Sequence, residues 1–286
     1  MVTDAQGQVV TCVLCGSASS HFCALDGGEY FRCRRCGGLF LYPRPTPEEM
    51  RAYAEKHYKG GVYAEYAKAR PLKIETFRRR LALIKKHRPS GKLLDLGCAC
   101  GFMIEAALEA GYDARGVEFS EEAVRMARKE VRGRIHLGDI NTRLDAGEYD
   151  VITAFDILEH AQDPLASLQQ WAEMLRPGAL LVITTPDTDS VFRKVMGARW
   201  PMLQPFQHTA MFSGAAMAGF LEKVGLRALE IRSAEKVMTL NYLIGQLEIY
   251  FPRASRLSRR AGSALPVLMN LPIAFRIGEF IAIAQK

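Results

Sequence analysis

The chain has 286 residues, 49% of them hydrophobic, and carries 38 basic against 31 acidic side chains, a formal net charge of +7. That apolar share supports a packed core and excludes a disordered or fibrous chain. The polar opening MVTDAQGQ does not read as a signal peptide. The most apolar late stretch, residues 261–275, is broken by Pro266, Asn270 and Pro272 and falls short of the roughly 20 residues a membrane span needs. The expectation is a soluble, cytoplasmic protein.

The charge is uneven. Residues 48–92 carry 13 basic and 5 acidic side chains and residues 240–286 carry 6 and 2, whereas residues 93–239 carry 15 and 21. An acidic centre therefore lies between basic flanks. Such flanks are either solvated helix faces or a surface for a polyanion such as RNA, a nucleotide-linked sugar or an anionic membrane.

Residues 1–47 hold two C-x-x-C-G knuckles, Cys12-Val13-Leu14-Cys15-Gly16 and Cys33-Arg34-Arg35-Cys36-Gly37. This spacing reads as a four-cysteine zinc site, and four thiolates close a tetrahedral shell, so the expected metal is structural. A module this small gains its folding energy from the metal. Pro43, Pro45 and Pro47 then stiffen the exit.

Residues 48–92 read as helical. One helix opens at Pro47-Glu48-Glu49 and runs to about His57. A second, about Pro71–His87, has Leu72, Ile74, Phe77, Leu81 and Ile84 on an apolar face and Arg78, Arg79, Arg80, Lys85 and Lys86 opposite. Tyr53, Tyr58, Tyr63 and Tyr66 crowd this region.

The next domain, residues 93–239, begins with Leu93-Leu94-Asp95-Leu96-Gly97-Cys98-Ala99-Cys100-Gly101. A strand stops at a glycine turn and re-enters as a helix, the place where open parallel sheets bind ligands. Gly97 and Gly101 permit the bend and a close backbone approach. The second strand, Asp113–Glu118, ends in an acid suited to a ribose diol. Ser120 caps a helix running to about Glu130, and strands follow at residues 134–137, 149–155, 179–185 and 226–233. Asp163-Pro164 opens a helix that Leu175-Arg176-Pro177-Gly178 ends. Residues 186–210 form a long connector containing Arg199, Trp200 and Phe206, of the kind that is functional or mobile. Ser213 caps the last helix of this region, which Gly225 ends.

In the tail, residues 240–286, an apolar helix spans Leu240–Phe251. It precedes Arg253, Arg256, Arg259 and Arg260, and Glu279–Gln285 reads as a buried strand. Residues 240–278 would insert between the last two strands. They suit core packing, a homodimer interface or a peripheral membrane contact.

The run D-x-G-x-x-x-G with Glu118, then Asp156-Ile157-Leu158-Glu159-His160-Ala161-Gln162-Asp163-Pro164, then Leu175-Arg176-Pro177-Gly178, resembles the class I S-adenosylmethionine (SAM) methyltransferases over about residues 90–235. The resemblance implies an α/β Rossmann-like sheet of seven strands, the last antiparallel, preceded by the zinc ribbon. It implies SAM as cofactor, held by Asp95, Gly97, Cys98, Gly101, Glu118, Phe119, Asp139, Ile140 and Phe155. Glu118 would take the ribose and Asp139 the adenine amine, and residues 48–92 would lid the cofactor. His208 and His160 are the candidate general bases, and Glu159 with His160 could instead bind a divalent metal. Ribbon, Pro-Arg-Pro exit and tyrosine-rich stretch most resemble bacterial methyltransferases acting on sugars, glycans or other small biosynthetic intermediates. The leading expectation is therefore O-methylation of a sugar-like acceptor. Rival readings are an RNA methyltransferase, a lipid or quinone methyltransferase, and a SAM-binding scaffold without turnover.

Overall fold

The computed structural model describes residues 9–58, 62–144, 146–248 and 265–286, with Pro252, Ser255, Ser258 and Gly262. The opening octapeptide, the end of the helix expected to reach Phe251, and Arg253, Arg256, Arg259 and Arg260 lie outside the described residues.

Seven strands form the central sheet: β4 (Lys92–Leu96), β5 (Asp113–Glu118), β6 (Ile135–Leu137), β7 (Tyr149–Phe155), β8 (Leu175–Pro186), β10 (Arg227–Ser233) and β13 (Glu279–Gln285). Their order is β10-β13-β8-β7-β4-β5-β6. From β6 to β8 every pairing is parallel, whereas β13 runs antiparallel to both its neighbours. This is the Rossmann-like sheet with an antiparallel last strand that the motif order implies.

Adjacent residues of a strand point to opposite faces, and both faces are covered. On one, Leu93, Val151 and Val182 pack with Ile74, Phe77, Leu81 and Ile84 of α3 (Arg70–Ile84) and with Ile104 of α4 (Phe102–Glu109). On the other, Leu94, Ile152 and Leu181 pack with Trp171 of α7 (Pro164–Met174) and with Met217, Phe220 and Leu221 of α9 (Gly214–Lys223). Each such fully buried side chain contributes about 1.5–3 kcal/mol. Continuous apolar runs in the strands are what a sheet buried on both faces requires.

The cysteine-bearing segment forms a second sheet, β1 (Ser19–Leu25), β2 (Gly28–Cys33) and β3 (Leu39–Tyr42), all antiparallel. Its fourth strand is β9 (Ala210–Met211), which comes from the long connector and pairs with β3. Among the described residues no helix is long and apolar enough to cross a membrane.

Several elements depart from expectation. Residues 48–92 form α1 (Pro47–Tyr58), an additional α2 (Val62–Lys68) and α3. The helix capped by Ser120 stops as α5 (Glu121–Met126). There Ala127 turns extended (φ −65°, ψ 148°), and Arg132 Nη2 donates to the freed carbonyls of Arg125 and Ala127. A new turn, α6 (Lys129–Arg132), follows. The Leu175–Gly178 stretch belongs to β8, bent at Gly178 (φ +76°). The long connector contains α8 (Val191–Met196), and a hairpin of β11 (Lys236–Met238) with β12 (Ile273–Phe275) flanks α10 (Leu240–Leu247).

Candidate functional site: a cofactor cradle beside a histidine pair

β4 ends beneath a loop that turns through left-handed backbone at Gly97 (φ +67°), Ala99 (φ +47°) and Gly101 (φ +72°). A Cβ on Gly97 would lie 2.2 Å from Ile157 Cδ1, so the position requires glycine. The loop is stitched by Cys98 N–H donating to Val117 O (3.0 Å) and Gly101 N–H to Cys98 O (2.8 Å).

Glu118 closes this cradle from the end of β5. It is 3% exposed. Its Oε2 accepts from Ala99 N–H (2.8 Å), and its Oε1 accepts from Ser120 N–H (2.9 Å) and from the Tyr63 hydroxyl (3.3 Å). Burial raises its pKa against these hydrogen bonds. Asp95 is buried on β4, accepts from Thr153 Oγ1 (2.6 Å), and is pushed by burial up to about 7.

Beyond them lie Phe119, 51% exposed at the end of β5, and the turn after β6. In that turn Asp139 is exposed and accepts from Asn141 N–H (2.8 Å), while Ile140 O accepts from Trp171 Nε1 (2.9 Å). Phe155 ends β7, stacked on Phe77 (5.9 Å) with the Arg80 guanidinium 4.5 Å from its ring centre.

α2 lies over the cradle. Tyr63 reaches Glu118, and Tyr66 stacks on Phe102 at 5.4 Å with Lys73 Nζ 4.7 Å from its ring centre. Burial, reinforced by Lys236, lowers Lys73 to about 8. Four nearby tyrosines gave the sequence no means of choosing Tyr63.

A second group follows β7. Asp156 sits in left-handed backbone (φ +58°), accepts from Thr184 Oγ1 (2.8 Å) and pairs with Lys236 (2.9 Å), which also pairs with Glu279. Burial works against the Asp156 charge, but Lys236 and Arg80 hold its carboxyl well below the ordinary range. Lys236, Glu279 and Arg80 carry no motif, and Arg80, expected on the basic face opposite the core, is buried against Phe155.

The next turn, Leu158–His160, presents Glu159 and His160. Glu159 accepts from Thr185 Oγ1 (2.9 Å), and burial, then Asp156, raises its pKa. The rings of His160 and His208 meet edge to face, 4.9 Å between centres. His208 Nδ1 lies 2.7 Å from Met202 O. A carbonyl only accepts, so Nδ1 carries the proton and Nε2 is left as an acceptor. Burial lowers His160 to about 4 and His208 to about 3, so both rings are neutral near pH 7.

Ligand atoms of Glu159, His160 and His208 all lie within 4.8 Å of one another, a spacing open to a divalent ion. Of the connector's other candidates, Trp200 is buried with Tyr30 and Leu39, Phe206 stacks on Tyr53 (5.6 Å), and Arg199 is exposed.

The four cysteines converge as well. The sulfurs of Cys12, Cys15, Cys33 and Cys36 also all lie within 4.8 Å of one another. Backbone N–H groups point at them: Leu14 N–H at Cys12 (3.4 Å), and Arg35 and Cys36 N–H at Cys33 (3.3 Å each). None is in a disulfide. Four converging thiols with N–H support fit a tetrahedral, sulfur-liganded ion.

Comparison with known proteins agrees with the core. A family profile described as "Methyltransferase domain" matches residues 65–231, more than half the chain. The ubiquinone biosynthesis O-methyltransferase of Bordetella avium is 25% identical over 206 residues, covering 65% of this chain and 82% of its own. That of Aromatoleum aromaticum is 26% identical over 180 residues, covering 56% and 72%. A SAM-dependent methyltransferase structure from Archaeoglobus fulgidus shares the fold (TM-score 0.51, 15% identity, 78% of this chain and 99% of that one). With the glycine loop, the buried acid at the end of β5 and the seven-stranded sheet in place, the chain belongs to the methyltransferase-domain family and is a class I SAM-dependent methyltransferase.

Proposed function

We propose that the protein methylates a hydroxyl oxygen of a small aromatic acceptor of the quinone-precursor type, with His208 as general base and His160 beside it. The expectation of a sugar-like acceptor gives way to the quinone alternative, because both named relatives act in ubiquinone biosynthesis. One observation carries the reading: a buried and a half-buried imidazole stand in contact, and His208, with Nδ1 committed to Met202 O, leaves Nε2 as the acceptor.

SAM supplies an electrophilic methyl group when bound. Glu118 would take the ribose hydroxyls and the Gly97–Gly101 loop would admit the chain close to the cofactor. Phe119, Asp139 and Ile140 are assigned to the adenine end, and Asp95, Cys98 and Phe155 to the loop and the methionine end. Holding acceptor and methyl in line converts an encounter into an oriented reaction. The four-cysteine site is assigned to a structural zinc ion.

The test supplies methyl-labelled SAM with either a dihydroxybenzene or a nucleotide sugar. Label in the phenol, lost in His208→Ala, supports the reading. Label in the sugar sinks it.

A further inference from the structure

Tyr30 lies in β2, shortly before Cys33, and is fully buried among Cys23, Leu39, Leu41, Trp200 and Met211. Its hydroxyl donates to the main-chain oxygen of His208 at 3.0 Å. His208 N–H donates to Gln204 O (2.9 Å), closing the turn. The phenol therefore holds the carbonyl at the end of the turn that presents His208.

The neighbouring residue is held from the same side. Leu41 N–H donates to Thr209 O (3.0 Å), and β3 pairs with β9 at Phe40–Ala210 and Leu39–Met211. On the other flank Thr209 N–H donates to Glu159 O (3.0 Å), tying this turn to the one that carries His160.

We propose that Tyr30 is a positioning residue for His208, and that the cysteine ribbon thereby forms the outer wall of the methyl-transfer site. The inference rests on the reading of His208 as the base. With its peptide fixed by Tyr30 and its Nδ1 fixed by Met202, the imidazole has one direction left for Nε2. Without the hydroxyl, the His208 carbonyl is a buried acceptor short of a donor, and the peptide rotates to find one. A small rotation there mis-aims the base, and misplacement of about 1 Å costs up to about a hundredfold in rate.

Tyr30→Phe removes the hydroxyl and keeps the ring. The expected result is a two- to tenfold fall in kcat, about the value of one hydrogen bond, with KM for SAM and zinc content unchanged. The His208 ring resonances should shift in the nuclear magnetic resonance spectrum. In a His208→Ala background Tyr30→Phe should have no further effect on kcat, a coupling that a merely structural role would not produce. Unchanged His208 resonances in Tyr30→Phe, or an equal loss of kcat with and without His208, would overturn the proposal. If the resonances shift while His208→Ala itself retains full turnover, the base assignment is what falls.

Discussion

The Tyr63 hydroxyl sits 3.3 Å from Oε1 of Glu118, so α2 touches the acid we assign to the ribose. The carboxylate also anchors Ala99 and Ser120 N–H. Glu118→Gln puts an NH2 group against one of those donors, and hydrogen bonds to charged groups are worth about 1.5–3 kcal/mol. SAM affinity should weaken by at least about tenfold in calorimetry. Tyr63→Phe removes the hydroxyl's contact with Glu118. It should speed SAM association and leave the equilibrium affinity within about threefold.

Gly97 couples the cradle to the acceptor side. An alanine there needs φ +67° and drives its Cβ into Ile157, one residue before the Leu158–His160 turn. Gly97→Ala should cost about 1–3 kcal/mol of stability and lower both SAM affinity and kcat. Loss of SAM affinity alone would show that the loop and the turn are uncoupled.

The histidines make a pH prediction with a definite sign. His208 is depressed to about 3 and His160 to about 4 by burial, against about 6.5 in the unfolded chain. Between those values and 6.5 the unfolded chain binds protons that the folded chain refuses. Their contribution to stability is therefore full above pH 6.5 and is lost as pH falls toward 4. Asp95, raised to about 7, acts in the opposite direction between about 4 and 7. The diagnostic is thus the difference between wild type and His208→Gln. Unfolding midpoints followed from pH 4 to 7 should fall less steeply on acidification in the variant.

Lys236 stands between Asp156 and Glu279. Lys236→Met would leave the buried Glu279 and the partly exposed Asp156 without their shared cation, a loss of up to about 3–5 kcal/mol in denaturant unfolding. Adding Glu279→Gln should recover part of it. A neutral Lys236→Met would mean that Arg80 alone compensates both acids.

Zinc assignment has a direct check. The purified chain should carry about one zinc ion, as a four-thiolate site does, measured by elemental analysis. Cys33→Ser should lose it together with β1 and β2, seen as new amide exchange in those strands.

What the sequence made legible was local. The glycine loop, the acid at the end of β5 and the Ser120, Asp163 and Ser213 caps are short-range backbone chemistry, and the capping side chains bond where expected. The knuckles converge as their spacing implied. What stayed hidden was long-range. Lys236 meets Asp156 and Glu279 only because a hairpin folds over the strand ends. Trp200, in a connector expected to be functional or mobile, is buried because β9 draws the connector onto the ribbon. The break at Ala127 depends on Arg132 reaching back to carbonyls that no helical pattern marks as free.

The pairing of Leu39 with Met211 also orders events during synthesis. The β1–β3 sheet leaves the ribosome before β9, its last strand, and closing that loop is a slow, non-local step. The nascent ribbon must keep the edge of β3 from other chains meanwhile, since an open strand edge templates aggregation. A chain cut before residue 210 would keep all four cysteines and still lack the strand that covers this edge, so early truncations should aggregate rather than yield a soluble metal-binding fragment.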